Sequence, residues 1–207
     1  MIRVENPKFL PKIKKGAFTP EEVKRMLQVL PSEWCSMVIC CLYTGGQRIG
    51  DVALLCWEQI DMERRQLSLV TGKTGRSMSI PIVDRFMEHL RSIPRNGPYL
   101  HPRMAEKYLR RGLYFLSIQK GTRICGDHIA SFRSQQGAKG RARAISPKTF
   151  HSLRATAATL LHLSGVSPAI AQKVVGHESM DVHEGYVRPD DADSRNAMEK
   201  LSSALAL

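Results

Sequence analysis

The run Phe150-His151-Ser152-Leu153-Arg154, followed by Gly176-His177 and then Gly185-Tyr186-Val187, organises the reading of this chain. It sets a His and an Arg one helical turn apart, a second His downstream, and a Tyr nine positions beyond that His. The positions around it are apolar at helical spacing. Phe150, Leu153, Ala157, Leu160 and Leu161 predict one stripe of a helix opened by Pro147 and ended by Gly165, with His151 and Arg154 flanking the stripe on a shared i, i+3 face. Ser167-Pro168 opens another helix that reaches Val175-Gly176, and Tyr186 follows on a short segment. Residues 190–205 read as a last helix whose weakly apolar side is Ala192, Ala197, Met198, Leu201 and Leu205.

Working back from that run, the upstream chain predicts more helix and one small sheet. Residues 1–17 hold Pro7, Pro11 and several Lys with little periodicity, and read as a linker or extended arm. Thr19-Pro20-Glu21-Glu22 is a capping box with Pro at the first helical position, and Val23, Met26, Leu27 and Leu30 make its stripe. Ser32 is expected to cap a second, apolar helix that runs to about Tyr43 and stops at Gly45-Gly46. A third short helix is expected to carry Arg48, Asp51, Val52, Leu54 and Leu55. Gln59-Ile60-Asp61, a polar turn over 62–65, and the alternating runs 66–70 and 77–81 around Gly72-Lys73-Thr74-Gly75 predict antiparallel strands with a hairpin turn. Asp84 is expected to cap a helix to about Ile93, and 103–118 to be a basic helix. Residues 121–144, rich in Gly, Ser and Arg, read as a positively charged connection. The fold class is therefore α+β, mainly α, with a small antiparallel sheet.

Composition bounds the partner. The 207 residues are 43% hydrophobic, enough for a packed core, and carry a net charge of +12. Between His101 and Arg154 stand twelve Lys or Arg against two acids, Glu106 and Asp127, and the N-terminal stretch adds Arg3, Lys8, Lys12, Lys14 and Lys15 against Glu5. Charge of one sign gathered this way suits a surface that tracks phosphates, with Arg76, Arg110, Arg111, Lys120, Arg133, Lys139, Arg141, Arg143 and Lys148 as candidate DNA contacts. The five Cys, at 35, 40, 41, 56 and 125, form no CxxC pair and read as buried reduced thiols. No His has Cys neighbours at zinc-ligand spacing, so no metal site is expected. With no signal peptide and no apolar run long enough to span a bilayer, a cytoplasmic, nucleoid-associated location is expected.

Arg48 lies in Thr44-Gly45-Gly46-Gln47-Arg48-Ile49-Gly50-Asp51, and Lys73 in Thr71-Gly72-Lys73-Thr74-Gly75-Arg76. Together with His151, Arg154, His177 and Tyr186 they suit attack on a phosphodiester without a metal or other cofactor. Two guanidinium groups can fork onto the equatorial oxygens, where charge builds in the transition state. A phenol can attack phosphorus and keep the bond energy in a phosphotyrosine link. A Lys held near the phosphate can give the leaving 5′-oxygen its proton, His151 can exchange the proton of Tyr186, and His177 can donate to a non-bridging oxygen. Each residue taken singly also has a plain structural role: Arg48 paired to Asp51, Lys73 as a turn lysine, His151 and Arg154 as a solvated helix face, His177 as a helix cap, Tyr186 as a core tyrosine.

The ordered set, with Thr44-Gly45 before Arg48, Leu54-Leu55-Cys56-Trp57 after it and Gly176-His177 before Tyr186, resembles the tyrosine recombinase (phage integrase) family from about Phe18 to about Val187. The resemblance implies the roles above at Arg48, Lys73, His151, Arg154, His177 and Tyr186, with a catalytic domain over 18–188. The family usually has Glu three residues after the first Arg; Asp51 stands there, as a shorter buttress for Arg48. Ala155 replaces a commonly seen His after the second Arg. Most members also carry an N-terminal core-binding domain that closes round DNA, whereas only 1–17 precede the catalytic region here, as in a catalytic fragment or a short member. The resemblance further implies that 189–207 pack on a neighbouring protomer, in a tetramer on double-stranded DNA, with a monomer off DNA. Three other readings stay open: a type IB topoisomerase-like nicking-closing enzyme, a DNA-binding protein of the same fold without catalysis, and, more distantly, an RNA-binding module.

Overall fold

In the computed structural model, the described residues are 16–111, 148–188, 193–196 and 198–199. They form a mainly helical α+β domain with a three-stranded antiparallel sheet. The helices are α1 (Pro20–Val29), α2 (Ser32–Tyr43), α3 (Ile49–Ala53), α4 (Asp84–Ser92), α5 (Pro102–Arg111), α6 (Ser152–Leu163), α7 (Pro168–Val175) and α8 (Met180–Glu184), and the strands are β1 (Ile60–Asp61), β2 (Gln66–Val70) and β3 (Ser77–Pro81). Residues 193–196 and 198–199 are helical; the rest of the expected last helix, the basic connection 121–144, Pro147 and the end of the 103–118 helix lie outside the described residues. Among the described residues no helix is long and apolar enough to cross a membrane.

α1 starts as its sequence dictates. Thr19 Oγ1 accepts the Glu22 N–H at 3.2 Å, and the Glu22 carboxylate accepts the Thr19 N–H at 2.8 Å. Two other expected caps are replaced. Pro31 holds the cap position of α2 with φ −55° and ψ 147°, and its carbonyl accepts the Cys35 N–H at 3.0 Å, so Ser32 is the first helical residue and makes no capping bond. Pro fixes φ near the value needed at this entry, which leaves the neighbouring Ser redundant as a cap. Val83 caps α4, and the Asp84 carboxylate instead meets Arg65 Nη1 at 2.6 Å. α5 is capped across the fold, where Glu33 Oε1 accepts the N–H groups of Arg103 and Met104 at 2.9 and 3.3 Å. α3 is shorter than expected, with Arg48 at its cap and Leu55 beyond its end.

The sheet follows its alternation. Leu67 and Leu69 on β2 lie opposite Ile80 and Met78 on β3, and all four are buried while their neighbours are exposed. This inner face joins Met26, Met37, Val38, Phe86, Leu90 and Leu153 in one core. The 71–76 turn is closed by Thr71 N–H to Arg76 O at 2.9 Å and Gly75 N–H to Thr71 O at 2.8 Å.

α6 departs from the expected single stripe: every residue from Ser152 to Thr159 is buried, while Leu160 and Leu161 are half-buried. It lies between α2 and α7, and the Phe18 N–H reaches Thr156 Oγ1 from a third side at 2.8 Å. Ala155, Ala157 and Ala158 let those neighbours approach closely. Gly46, with φ 80°, takes the chain from α2 to α3 directly over α6; a Cβ there would stand 2.6 Å from Arg154 Cα. That contact brings the loop leading to Arg48 onto the backbone of a residue more than a hundred positions away.

The thiols also differ in part from expectation. Cys40 and Cys41 are buried, with Cys40 pushed up to about 12 by burial, but Cys35 and Cys56 are only half-buried; all four are free.

Candidate active site

Arg154 is the centre of the site and is 2% exposed. Its Nη1 donates to Gly46 O at 3.1 Å, Nη2 to Gly176 O at 3.3 Å, and Nε to His177 Nε2 at 2.9 Å. Burial and the nearby charge of Arg48 both lower its pKa. A guanidinium this far from water is tolerable because the two carbonyls and the ring nitrogen take the place of its hydration. This corrects the expectation of a stripe flanked by His151 and Arg154 on one face: His151, at the cap position of α6, is exposed, and Arg154 points into the core.

His177 is placed by the end of α7. Gly176 takes the left-handed conformation, φ 73°, and the His177 N–H closes back on Gln172 O at 3.1 Å. Its ring is 2% exposed, receives Arg154 at Nε2 and meets His183 Nδ1 through its own Nδ1 at 3.1 Å. Burial first, then Arg154, pull its pKa down to about 3, so the ring is neutral. Ser179 Oγ accepts the Val182 N–H at 3.2 Å and so starts α8, which carries His183 inward.

Tyr186 follows α8 in a turn, its N–H bonded to His183 O at 2.9 Å. Its ring stacks on His177, centroids 4.5 Å apart at 23°, and lies 5.7 Å from the guanidinium carbon of Arg154. The phenol oxygen is 2.9 Å from His151 Nε2. The fold therefore gathers His151, Arg154, His177 and Tyr186 within contact distance.

Arg48 belongs to the same field, since its charge bears on both Arg154 and His177, but its side chain makes no hydrogen bond or ion pair among the described residues. Asp51 does not pair with Arg48. Its Oδ1 accepts the Gly72 N–H at 2.8 Å, and its buried Oδ2 has no partner among the described residues. Asp51 thus fixes the turn beside Lys73, whose own side chain is exposed and makes no hydrogen bond or ion pair among the described residues. Arg76, expected to face DNA, donates from Nη1 to His177 O at 3.0 Å and ties the hairpin to the α7–α8 loop. Lys148 is paired with Glu22 and sits 5.5 Å from the Phe18 ring centroid, and Arg110 pairs with Glu106 at 3.3 Å. Lys120, Arg133, Lys139, Arg141 and Arg143 lie outside the described residues, as does the side chain of Arg111.

Two site residues escape a reading of the sequence. His183 has no motif around it; six residues from His177 and three from Tyr186, it shows only a helical spacing to the latter. Arg188 donates its backbone N–H to Thr159 Oγ1 at 2.9 Å and its guanidinium to Val187 O and Gly185 O, bracing the turn that holds Tyr186. Among the described residues, no group of three or more His, Cys, Asp or Glu is placed to hold a metal ion.

Comparison with known proteins bears on the family and the fold. The sequence model of the phage integrase family matches residues 17–193. Tyrosine recombinase XerA of Pyrococcus furiosus is 27% identical over 202 residues, which cover 97% of this chain and 66% of that protein. A tyrosine recombinase of Pseudothermotoga lettingae is 21% identical over 202 residues, covering 96% of this chain and 64% of that one. The chain therefore spans slightly under two thirds of these relatives. Among solved structures, XerA recombinase superposes with a TM-score of 0.62 at 17% identity, covering 89% of this chain and 64% of that chain. Lambda integrase, in a tetramer bound to a Holliday junction, gives 0.62 at 22% identity, covering 88% and 52%. These two likenesses concern the fold, whereas the family match runs through nearly the whole chain: this protein belongs to the phage integrase family.

Proposed function

We propose that this chain breaks and rejoins DNA at a specific site, with Tyr186 as nucleophile and a 3′-phosphotyrosine link as intermediate. The observation that carries this reading is the Tyr186 phenol 2.9 Å from His151 Nε2, with its ring against His177 and near Arg154. In the forward step the phenol proton passes to His151 and the phenol oxygen bonds to phosphorus. The bond from phosphorus to the 5′-oxygen breaks, and that oxygen takes a proton from the Lys73 ammonium. Arg48 and Arg154 stabilise the charge on the equatorial oxygens. Of the five N–H groups of Arg154, three are committed to Gly46, Gly176 and His177, which leaves two to face a phosphate. No step draws on a metal ion.

Double-stranded DNA is the substrate, which places the protein in the cytoplasm beside the nucleoid. The tetramer of lambda integrase on a Holliday junction supports a similar assembly on DNA. In it the segment after Tyr186 packs on the adjacent protomer, so that cleavage waits for assembly.

The test uses the full chain and a pool of nicked suicide duplexes with randomised centres, from which covalent protein–DNA products are isolated. The wild type is expected to give adducts and Tyr186→Phe none, with DNA retention unchanged. Adducts that persist in Tyr186→Phe would refute the assignment.

A further inference from the structure

His183 is as buried as Arg154, each 2% exposed, yet has no part in the reaction just described. Its Nδ1 stands 3.1 Å from His177 Nδ1, with ring centroids 5.3 Å apart. Two nitrogens at that distance share one proton, and while His183 Nδ1 is bare the contact on the other side of the His177 ring fixes which of them carries it. Arg154 Nε, 2.9 Å from His177 Nε2, can only donate. A neutral His177 must then accept at Nε2 and carry its proton on Nδ1, pointing at a bare Nδ1 of His183. The three groups form a directed chain: Arg154 Nε–H to His177, His177 Nδ1–H to His183.

The chain has one alternative. If His183 carries a proton on Nδ1, His177 must accept there and hold its own proton on Nε2. Two donors then face each other at the Arg154 contact and it opens. That second state frees one N–H of Arg154 and turns His177 Nε2 into a donor. A donor at His177 Nε2 is what protonating a non-bridging oxygen asks for, and the freed N–H joins the two that Arg154 already has to spare; in the arrangement observed His177 Nε2 is occupied by Arg154.

We infer that His183 is a positioning residue for this reaction: it sets which ring nitrogen of His177 carries the proton, and so whether Arg154 is held by the protein or turned to the substrate. The inference rests on the phosphotyrosine reading. The groups that bear on His183 are His162 and Arg154 from α6, its neighbour Glu184 on α8, and His177 from the α7–α8 loop. Glu184 favours the proton on His183; burial, His162 and Arg154 oppose it. Arg48 and His151 act on the His177 end.

The first measurement is on the free full chain: nitrogen-15 NMR of the imidazoles. His177 protonated on Nδ1 and bare on Nε2 is expected, and the opposite tautomer would overturn the inference. It needs no variant, so it stands whether or not substitutions at this buried position fold. The second measurement is adduct formation against pH on duplexes selected from the randomised suicide pool. His183→Leu fills the space but accepts no proton, and should slow cleavage by about 10–100-fold, the scale set by leaving a buried donor unsatisfied. His183→Gln can accept or donate without titrating, so it should keep most of the rate at neutral pH and lose the part of the pH profile that His183 supplies. A folded His183→Leu with wild-type rate and profile would reduce His183 to a space-filler and overturn the inference, as would a folded His183→Gln as slow as His183→Leu. Failure of the wild type to give any adduct would instead sink the phosphotyrosine reading, while the tautomer measurement would still judge the chain of protons.

Discussion

Arg154 and Lys73 carry the same charge and enter the same proposed reaction, yet the fold treats them in opposite ways. Arg154 is 2% exposed, held by Gly46, Gly176 and His177, and lies beside the stacked rings of His177 and Tyr186. Lys73 stands exposed on the turn between β2 and β3, and the structure fixes the turn through Asp51 and Gly72 rather than the side chain. One half of the site is built in advance and belongs to the core; the other is an exposed cation on a fixed mount. A clamp held by the core, as proposed for Arg154, stabilises developing charge with only its His177 contact left to rearrange. A proton donor needs to be near the leaving oxygen only when DNA is present, so the fold can leave it in water until then.

The contrast is broken most severely by removing its buried half. Arg154→Ala should abolish detectable cleavage and also unfold the protein more easily, by about 2–4 kcal/mol, because two carbonyls and a ring nitrogen lose their donor in the core. Urea unfolding measures the second effect. Arg48→Ala makes the distinguishing control: a similar loss of cleavage, on the order of 3–4 kcal/mol in the barrier, with stability nearly unchanged. Lys at either position should rescue poorly, since one ammonium cannot fork. Equal stability losses in Arg48→Ala and Arg154→Ala would erase the difference between the halves.

Lys73→Ala should cost about 10²–10⁴-fold in cleavage and leave the melting temperature in place. DNA with sulfur at the 5′-bridging position should bypass the loss, because a thiolate leaves without a proton. Equal defects on normal and bridging-sulfur DNA would remove Lys73 from the acid role.

Acid should weaken the core while sparing the exposed half. His177 and, beneath α2, His101 are held at about 3 and about 4 by burial, against 6.5 for a free imidazole. The unfolded chain therefore binds these protons first, and stability falls as pH drops below about 6.5, at up to about 1.4 kcal/mol per pH unit for each group. The fall continues until the folded-state values near 4 and 3 are reached. Urea midpoints from pH 7 to pH 4.5 measure it; a flat profile would mean that these rings titrate normally.

The smallest effect sharpens the mount. Asp51→Ala removes the acceptor of the Gly72 N–H and should cost about 1 kcal/mol of stability. It should slow cleavage of normal DNA more than that of bridging-sulfur DNA, since the turn it loosens carries Lys73, the proposed proton donor. Equal slowing on both would point back to a direct effect on Arg48.

Much of this was legible in the order of residues, and the failures share a cause. The capping box at Thr19, the alternation in β2 and β3 and the Gly176 cap are short-range patterns, and each formed where its pattern stands. Ser32 and Asp84 failed as caps because Pro31 and Val83 took those positions and Arg65 took the Asp84 carboxylate. Arg76 and Lys148, read as candidate DNA contacts, also meet His177 O and Glu22, partners 101 and 126 positions away. No local rule anticipates a partner at such a distance.

The sequence by itself carried most element types, the resemblance to the family and the six residues proposed for the reaction, because spacing along a helix or strand and the order of side chains are local properties. Only the tertiary structure decided that Arg154 is a core residue, that Asp51 serves the turn of Lys73 rather than Arg48, and that His183 stands behind His177. Those depend on Gly46 crossing the backbone of Arg154 and on α8 turning inward after Gly176. Burial, and with it the direction of every proton in the Arg154–His177–His183 chain, is a property of what surrounds a residue in space.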